Sequence, residues 1–316
     1  MASKHVDPLK RLTSGRRKQE YEPPTVAERQ AIDEAMALPF PEWATTYLKI
    51  RNTDGVLVPF ALNLIQKRID DEWEFQLKDR GYVRIRILKS RKMGASTYVQ
   101  AKMFRSVVER EGWHAGVLAH DDAGCDFVFD RAKTYHEQLP EKMRRQVVRN
   151  NKKELAYQSP HGSFLRVNVA KGRGAWGSGG DMHMVHFSER AKWQNIRGSS
   201  KSQGQATAVL SAIPKNIYGS AVVDESTALG AGNPFHTAWL DAQPTPGSRY
   251  GRDGFRAMFF AWWQHPEAFD KGAILDRVPA DPEWLTDEPL LREMGCNDEQ
   301  LAWRRRIIAQ DCQADV

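Results

Sequence analysis

Cysteine is scarce in this chain. Three occur in 316 residues, Cys125, Cys296 and Cys312, far apart and with no CxxC pair. That usage argues against a disulfide framework or a zinc knuckle and fits a reducing compartment. Long apolar runs are missing too. The longest, AMFFAWW at 257–263, is far too short to span a bilayer. The opening residues are polar and basic rather than an apolar leader, so a cytoplasmic protein is expected. No repeat at a solenoid period is visible.

Core-forming residues are plentiful by contrast. A hydrophobic content of 41% and ten tryptophans suffice for one large α/β domain or two small ones. The net charge of +6 suits a polyanionic partner without demanding one. Residues 1–25, charged and interrupted by proline, read as a mobile basic arm.

The patterning predicts a helical stretch over 26–49, then a strand at YVRIRIL (82–88) and a helix from Ser96 with Val99, Met103 and Val107 along one face. WHAGVLAH (113–120) reads as a second strand, followed by a helix capped by Asp121 or Asp122. Residues 154–170 read as a hairpin. MHMVHFS (182–188), SAVVDE (220–225) and FRAMFFAWW (255–263) supply three more core strands, with helices near 200–212 and 233–241. Such alternation implies a mostly parallel sheet with helices on both faces, and ligands gather at the carboxyl ends of its strands.

One strand-to-helix turn reads either as a phosphate cradle or as only a basic turn: KSRKMGAST, residues 89–97. The phosphate loop G-x-x-x-x-G-K-[ST] places Gly94 at its second glycine, Ala95 at its lysine and Ser96 at its magnesium-binding hydroxyl. Lys89 then occupies the first glycine position. From there a four-carbon stem reaches the phosphates, and Arg91 is a second candidate cation. A buried strand ending in an acid supplies the complement. Glu189 closes HMVHFSE, either as the carboxylate with which a P-loop ATPase orients attacking water or as a solvated helix-start glutamate, and Ser188 stands where such ATPases usually carry aspartate. His183 and His186 fall on opposite strand faces and read as core or edge histidines rather than a metal pair.

Taken in order, these elements resemble the ATPase domain of tailed-phage terminase large subunits, the DNA-packaging motors, across most of residues 45–312. VPFALNLIQKRI (58–69) is similar to that family's adenine-recognising segment, with Gln66 as its glutamine. KSRKMGAST resembles its deviant Walker A loop, and AKGRGAWGSGGDMHMVHFSERAKW (170–193) its arginine–glycine loop and Walker B strand. VVDESTALGAGNPFHTAWLDA (222–242) is similar to its coupling motif, and NDEQLAWRRRIIAQ (297–310) to the segment before its nuclease junction.

The resemblance implies a P-loop NTPase of the additional-strand catalytic-glutamate type, with a small helical lid drawn from 26–57 and 264–316. It implies ATP and Mg2+ over Lys89, Ser90, Arg91, Lys92, Met93, Gly94, Ala95, Ser96 and Thr97, with Ser96 and Ser188 on the metal side. Glu189 would polarise water, while Ser226, Thr227 and Ala228 would couple hydrolysis to movement. The implied partners are double-stranded DNA, a portal protein, a small terminase subunit and further copies in a ring, all in the host cytoplasm. A trans-acting arginine is expected from Arg131, Arg144, Arg145 or Arg173, and DNA-phosphate contacts from 10–18 and 142–154. With the sequence ending at Val316, no nuclease activity is expected. The competing expectations are a related helicase-type ATPase and a catalytically weak, nucleotide-gated DNA-binding or scaffold module.

Overall fold

Strands whose successive residues face opposite sides of a sheet, both covered by helices, must be apolar on both faces. That condition is met through the centre of the molecule. A computed structural model describes residues 24–52, 54–151, 153–170, 182–195, 217–265, 267–278 and 281–311. The N-terminal arm up to residue 23, the helix expected near 200–212 and Arg173 lie outside the described residues.

A hairpin of β1 (Lys49–Arg51) and β2 (Leu57–Pro59) stands apart from the main sheet. The sheet comprises β3 (Val83–Lys89), β4 (His114–Ala119), β5 (Val147–Asn151), β6 (Glu154–Tyr157), β7 (Phe164–Val169), β8 (Met184–Phe187), β9 (Ala221–Ser226) and β10 (Arg256–Phe260). Its order is β10-β3-β9-β8-β4-β7-β6-β5. From β10 to β7 every neighbouring pair is parallel, and β6 and β5 continue it antiparallel. The expected core strands and the 154–170 hairpin are all present. Strand β5 was not foreseen, because VVRNN carries little apolar signal and is mostly exposed.

The helices are α1 (Val26–Ala37), α2 (Phe40–Tyr47), α3 (Leu64–Arg80), α4 (Ala95–Glu109), α5 (Asp122–Gln138), α6 (Pro234–Asp241), α7 (Pro282–Leu285), α8 (Glu288–Glu293) and α9 (Asp298–Asp311). The helical stretch expected over 26–49 is broken at Leu38 and Pro39, because a residue before proline is pushed out of the helical region. Helix α5 is capped by Asp121, which accepts from Gly124 N–H at 2.7 Å. No helix among the described residues is long and apolar enough to cross a membrane.

Strand parity divides the interior. Ile85, Ile87, Val223, Val117 and Met184 join the large cluster built with Val99 and Met103 of α4 and Ile65 and Ile69 of α3. Val222, Val185, Phe187 and Leu118 point the other way, against Trp193 and Ala242. Phe40, Trp43 and Ala44 of α2 also belong to the large cluster. A separate small cluster of Leu275, Leu291, Cys296, Leu301 and Ala302 holds the helices after β10.

Candidate phosphate-loop site

The carboxyl ends of β3, β9 and β8 lie side by side beneath the start of α4. The loop between β3 and α4 turns sharply, with Lys92 at φ 59° and Gly94 at φ 78°. Only glycine takes the second conformation without cost, and here space demands it as well. A Cβ on Gly94 would come within 2.6 Å of Gln66 Nε2. Asn63 and Gln66 form a reciprocal capping box at the start of α3. Gln66 Nε2 donates to Gly94 O at 3.0 Å, and Asn63 Nδ2 donates to Met93 O at 3.3 Å.

Gln66 therefore braces the loop. Its Oε1 accepts from Asn63 N–H while its Nε2 reaches the loop carbonyl, so both ends of the carboxamide are engaged in positioning the turn. Gly94→Ala is expected to lower stability by about 1–3 kcal/mol through the left-handed backbone alone. A shift in the urea midpoint measures it, and Gln66→Ala should recover part of the loss by making room for the methyl group.

Parity brings four polar groups to the α4 face: Lys89, Glu225, His186 and Ser188. Lys89 is 6% exposed and its ammonium donates to Glu189 Oε1 at 3.1 Å, with Glu225 Oε2 3.9 Å away. Glu225 is completely buried. It accepts from Ser96 Oγ, and His186 Nε2 lies 3.0 Å from its Oε1. Burial works against the Lys89 ammonium, but Glu225 and Glu189 outweigh it and raise its pKa. Burial likewise opposes the two carboxylates. Lys89 and His186, with the Ser96 hydroxyl, nevertheless hold Glu225 down to about 2, and Lys89 leads in lowering Glu189.

These carboxylates contribute stability above the ordinary glutamate pKa of 4.5, and that contribution is lost as pH falls toward about 2. The urea midpoint should drop across that window, and Glu225→Gln should flatten the dependence.

Glu189 sits one residue past Ser188, beyond the end of β8, with φ 53°, a rare backbone conformation for a non-glycine residue. Besides Lys89, two neighbours hold it. Thr227 Oγ1 donates to Oε2 at 3.0 Å, Thr227 N–H at 3.4 Å, and Lys192 Nζ is 3.3 Å away. Ser226 Oγ accepts from Ala191 N–H at 3.1 Å, fastening the same turn from behind. On the opposite sheet face Arg86 pairs with Asp224 at 2.9 Å and with Asp253, and Arg190 also reaches Asp224.

The structure thus gathers Lys89, Ser96, Glu189 and Thr227, with Ser188 alongside at the end of β8. Met93 and Ala95 are buried in the loop, and Ser90 and Thr97 half-buried. Ser90 N–H donates to Phe260 O, and Thr97 also lines a 320 Å³ cavity beside β1, β2 and α5. Arg91, Lys92 and Ala228 are exposed. Arg131, Arg144 and Arg145 make contacts within their own chain, to Gln100, Leu139 O and Val108 O. Glu225 was missed from sequence. Its signal was an acid inside a strand buried on both faces, directly beside the arginine- and lysine-bearing β3.

A mostly parallel sheet flanked by helices, with a glycine-bearing strand-to-helix turn beside the carboxyl ends of its strands, is a P-loop NTPase-like α/β fold. Solved structures give it a particular form. The large terminase of bacteriophage HK97 matches with a TM-score of 0.53 and 14% identity, over 88% of this chain and 53% of that one. The chain accordingly spans about half the length of that protein and shares its fold over that span. A point-mutant form of the large terminase ATPase domain of Thermus phage P74-26 matches at a TM-score of 0.47 and 17% identity, over 78% of this chain and 92% of its own. The large terminase of a second thermophilic bacteriophage, in complex with ADP, matches at 0.45 and 12%, over 63% and 45%. No family model matches the sequence, and no curated protein does.

Proposed function

We propose that this chain is an ATPase that drives translocation of double-stranded DNA, the motor portion of a phage packaging machine. The observation that supports it most is the Lys89–Glu189 pair beneath the N-terminus of α4. A helix N-terminus with its preceding turn attracts phosphate through backbone N–H groups and the helix dipole. A cation and a carboxylate within reach of that point are what phosphoryl transfer to water requires.

Lys89 and Glu189 neutralise each other across 3.1 Å. Arrival of a triphosphate offers Lys89 a stronger anionic partner, and Glu189 is then released to accept a hydrogen bond from water. Glu189 remains hooked to Thr227, so its change of partner is transmitted into the segment after β9. That is the coupling role proposed for Ser226, Thr227 and Ala228. Arg91, at the exposed rim, adds positive charge along the approach.

Among the described residues no group of three or more histidine, cysteine or acidic side chains could hold a metal by itself. This fits Mg2+, which commonly arrives with phosphate oxygens and keeps several waters. Ser96 and Ser188 are the hydroxyls on hand to hold it. When bound, the ion neutralises charge on the phosphates. The cationic side chain of Arg149 on β5, with Lys153 nearby, is proposed to contact DNA phosphates without reading sequence. A portal protein, a small terminase subunit and further copies of the chain complete the proposed machine.

Phosphate release from ATP on linear duplex DNA, run beside a forked duplex, tests this function. Hydrolysis that leaves the fork closed is the expected result. Strand separation favours the helicase-type alternative, and absence of hydrolysis the non-catalytic one.

A further inference from the structure

The strand that ends in Glu189 lacks an acid at the residue before it. Ser188 stands there, and a hydroxyl is a poorer partner than a carboxylate for a hydrated divalent cation. Register shows where an acid is to be found instead. Strands β8 and β9 run parallel with Phe187 opposite Asp224, so the next residues, Ser188 and Glu225, are also opposite. Neighbouring residues on paired strands point to the same face. Glu225 therefore lies on the same face as the missing carboxylate, one strand nearer the phosphate loop. Against β3 it stands opposite Ile87, two residues before Lys89.

Two further observations point to a ligand. Ser96 Oγ, the loop hydroxyl expected to meet the metal, donates to Glu225 Oε1. Glu225 Oε2 is buried and has no hydrogen-bond partner among the described residues. The Lys89 ammonium, 3.9 Å away, balances its charge without a hydrogen bond, so a buried carboxylate oxygen is left open to a further partner.

We propose that Glu225, on the coupling strand, is the carboxylate that orders the nucleotide-bound Mg2+ in place of the acid absent at position 188. The proposal rests on the nucleotide reading above and deepens it. It also divides the work of the two glutamates. Glu225 orients Ser96 and the metal's coordination shell, and Glu189 orients water. The strand that leads into Thr227 would then hold the metal as well, so that release of phosphate and ion both act on β9.

Equilibrium binding of a fluorescent ADP analogue to the full chain, in EDTA and in excess Mg2+, tests it without recourse to turnover. Wild type is expected to bind more tightly with Mg2+. Glu225→Gln should reduce that gain by about 10- to 100-fold, the usual cost of losing a carboxylate that orders a metal site, while EDTA affinity is unchanged. Glu189→Gln should retain the gain. The double variant Ser188→Asp/Glu225→Gln, which returns the acid to the strand opposite, should restore part of it.

A Glu225→Gln protein with the full Mg2+ gain overturns the proposal. So does an equal loss in both buffers, which marks Glu225 as a counter-ion to Lys89 only. If Glu225→Gln does not fold, Glu225→Asp keeps the charge but shortens the reach. A diminished gain then supports the proposal and an undiminished one overturns it. A wild-type chain that binds no nucleotide in either buffer defeats the nucleotide reading itself, and this proposal with it.

Discussion

Lys89→Ala is expected to lower ATP hydrolysis by roughly 10²- to 10³-fold, the scale at which one preorganised charge stabilises a transition state. Alanine cannot reach phosphate, and no other cation in the loop is buried beside Glu189, since Arg91 and Lys92 are exposed. The same change should destabilise the fold. Lys89 lies between Glu189 and the wholly buried Glu225. Removing one partner of a buried pair typically costs about 3–5 kcal/mol, because the remaining charge is left uncompensated. Phosphate release at a temperature where circular dichroism shows the variant folded separates the two effects. A folded Lys89→Ala protein with wild-type turnover would remove Lys89 from the mechanism.

Glu189→Gln is the complementary change, and its expected signature is different. The amide keeps the shape and can still accept from Thr227 Oγ1, so fold and nucleotide binding should survive. It cannot polarise water as a carboxylate does. Turnover should therefore fall by about 10²- to 10⁴-fold, the usual range for a positioned base. Removing the anion also frees Lys89 from its nearest partner, so ATP should bind at least as tightly as to wild type. A filter-binding titration beside single-turnover hydrolysis measures both quantities. Loss of binding together with turnover would make Glu189 a structural anchor of Lys89 and nothing more.

Much of the site could be read before the fold was known, because its main pair sits at the ends of recognisable strands. Lys89 closes the alternating run RIRILK, and Glu189 follows HMVHFS. The strand-to-helix turn was legible for the same reason: a glycine and two hydroxyl residues between a strand and an amphipathic helix. What escaped depended on partners distant in sequence. Asp224 and Glu225 are adjacent, so they face opposite sides of β9, and each needs its own cation. Arg86 and Lys89 on β3 are three residues apart and likewise face opposite sides. Register pairs Arg86 with Asp224 directly, and Lys89 reaches Glu225 on the other face.

Gln66 shows a second kind of limit. Asn63 and Gln66 are spaced as a capping box, and that local signal was present in NLIQ. Which job the carboxamide performs depends on the phosphate loop lying within hydrogen-bond distance, a contact between residues 28 positions apart. Strand β5 was hidden differently. It is an exposed edge, and an exposed polar strand carries no hydrophobic periodicity to detect.

A crystal structure of the full chain with a non-hydrolysable ATP analogue and Mg2+ tests the central claim most directly. The expected result is a triphosphate against the backbone N–H groups at the start of α4, with the Lys89 ammonium transferred from Glu189 to a phosphate oxygen. A triphosphate bound elsewhere, or one seated at α4 while Lys89 still holds Glu189, would contradict it.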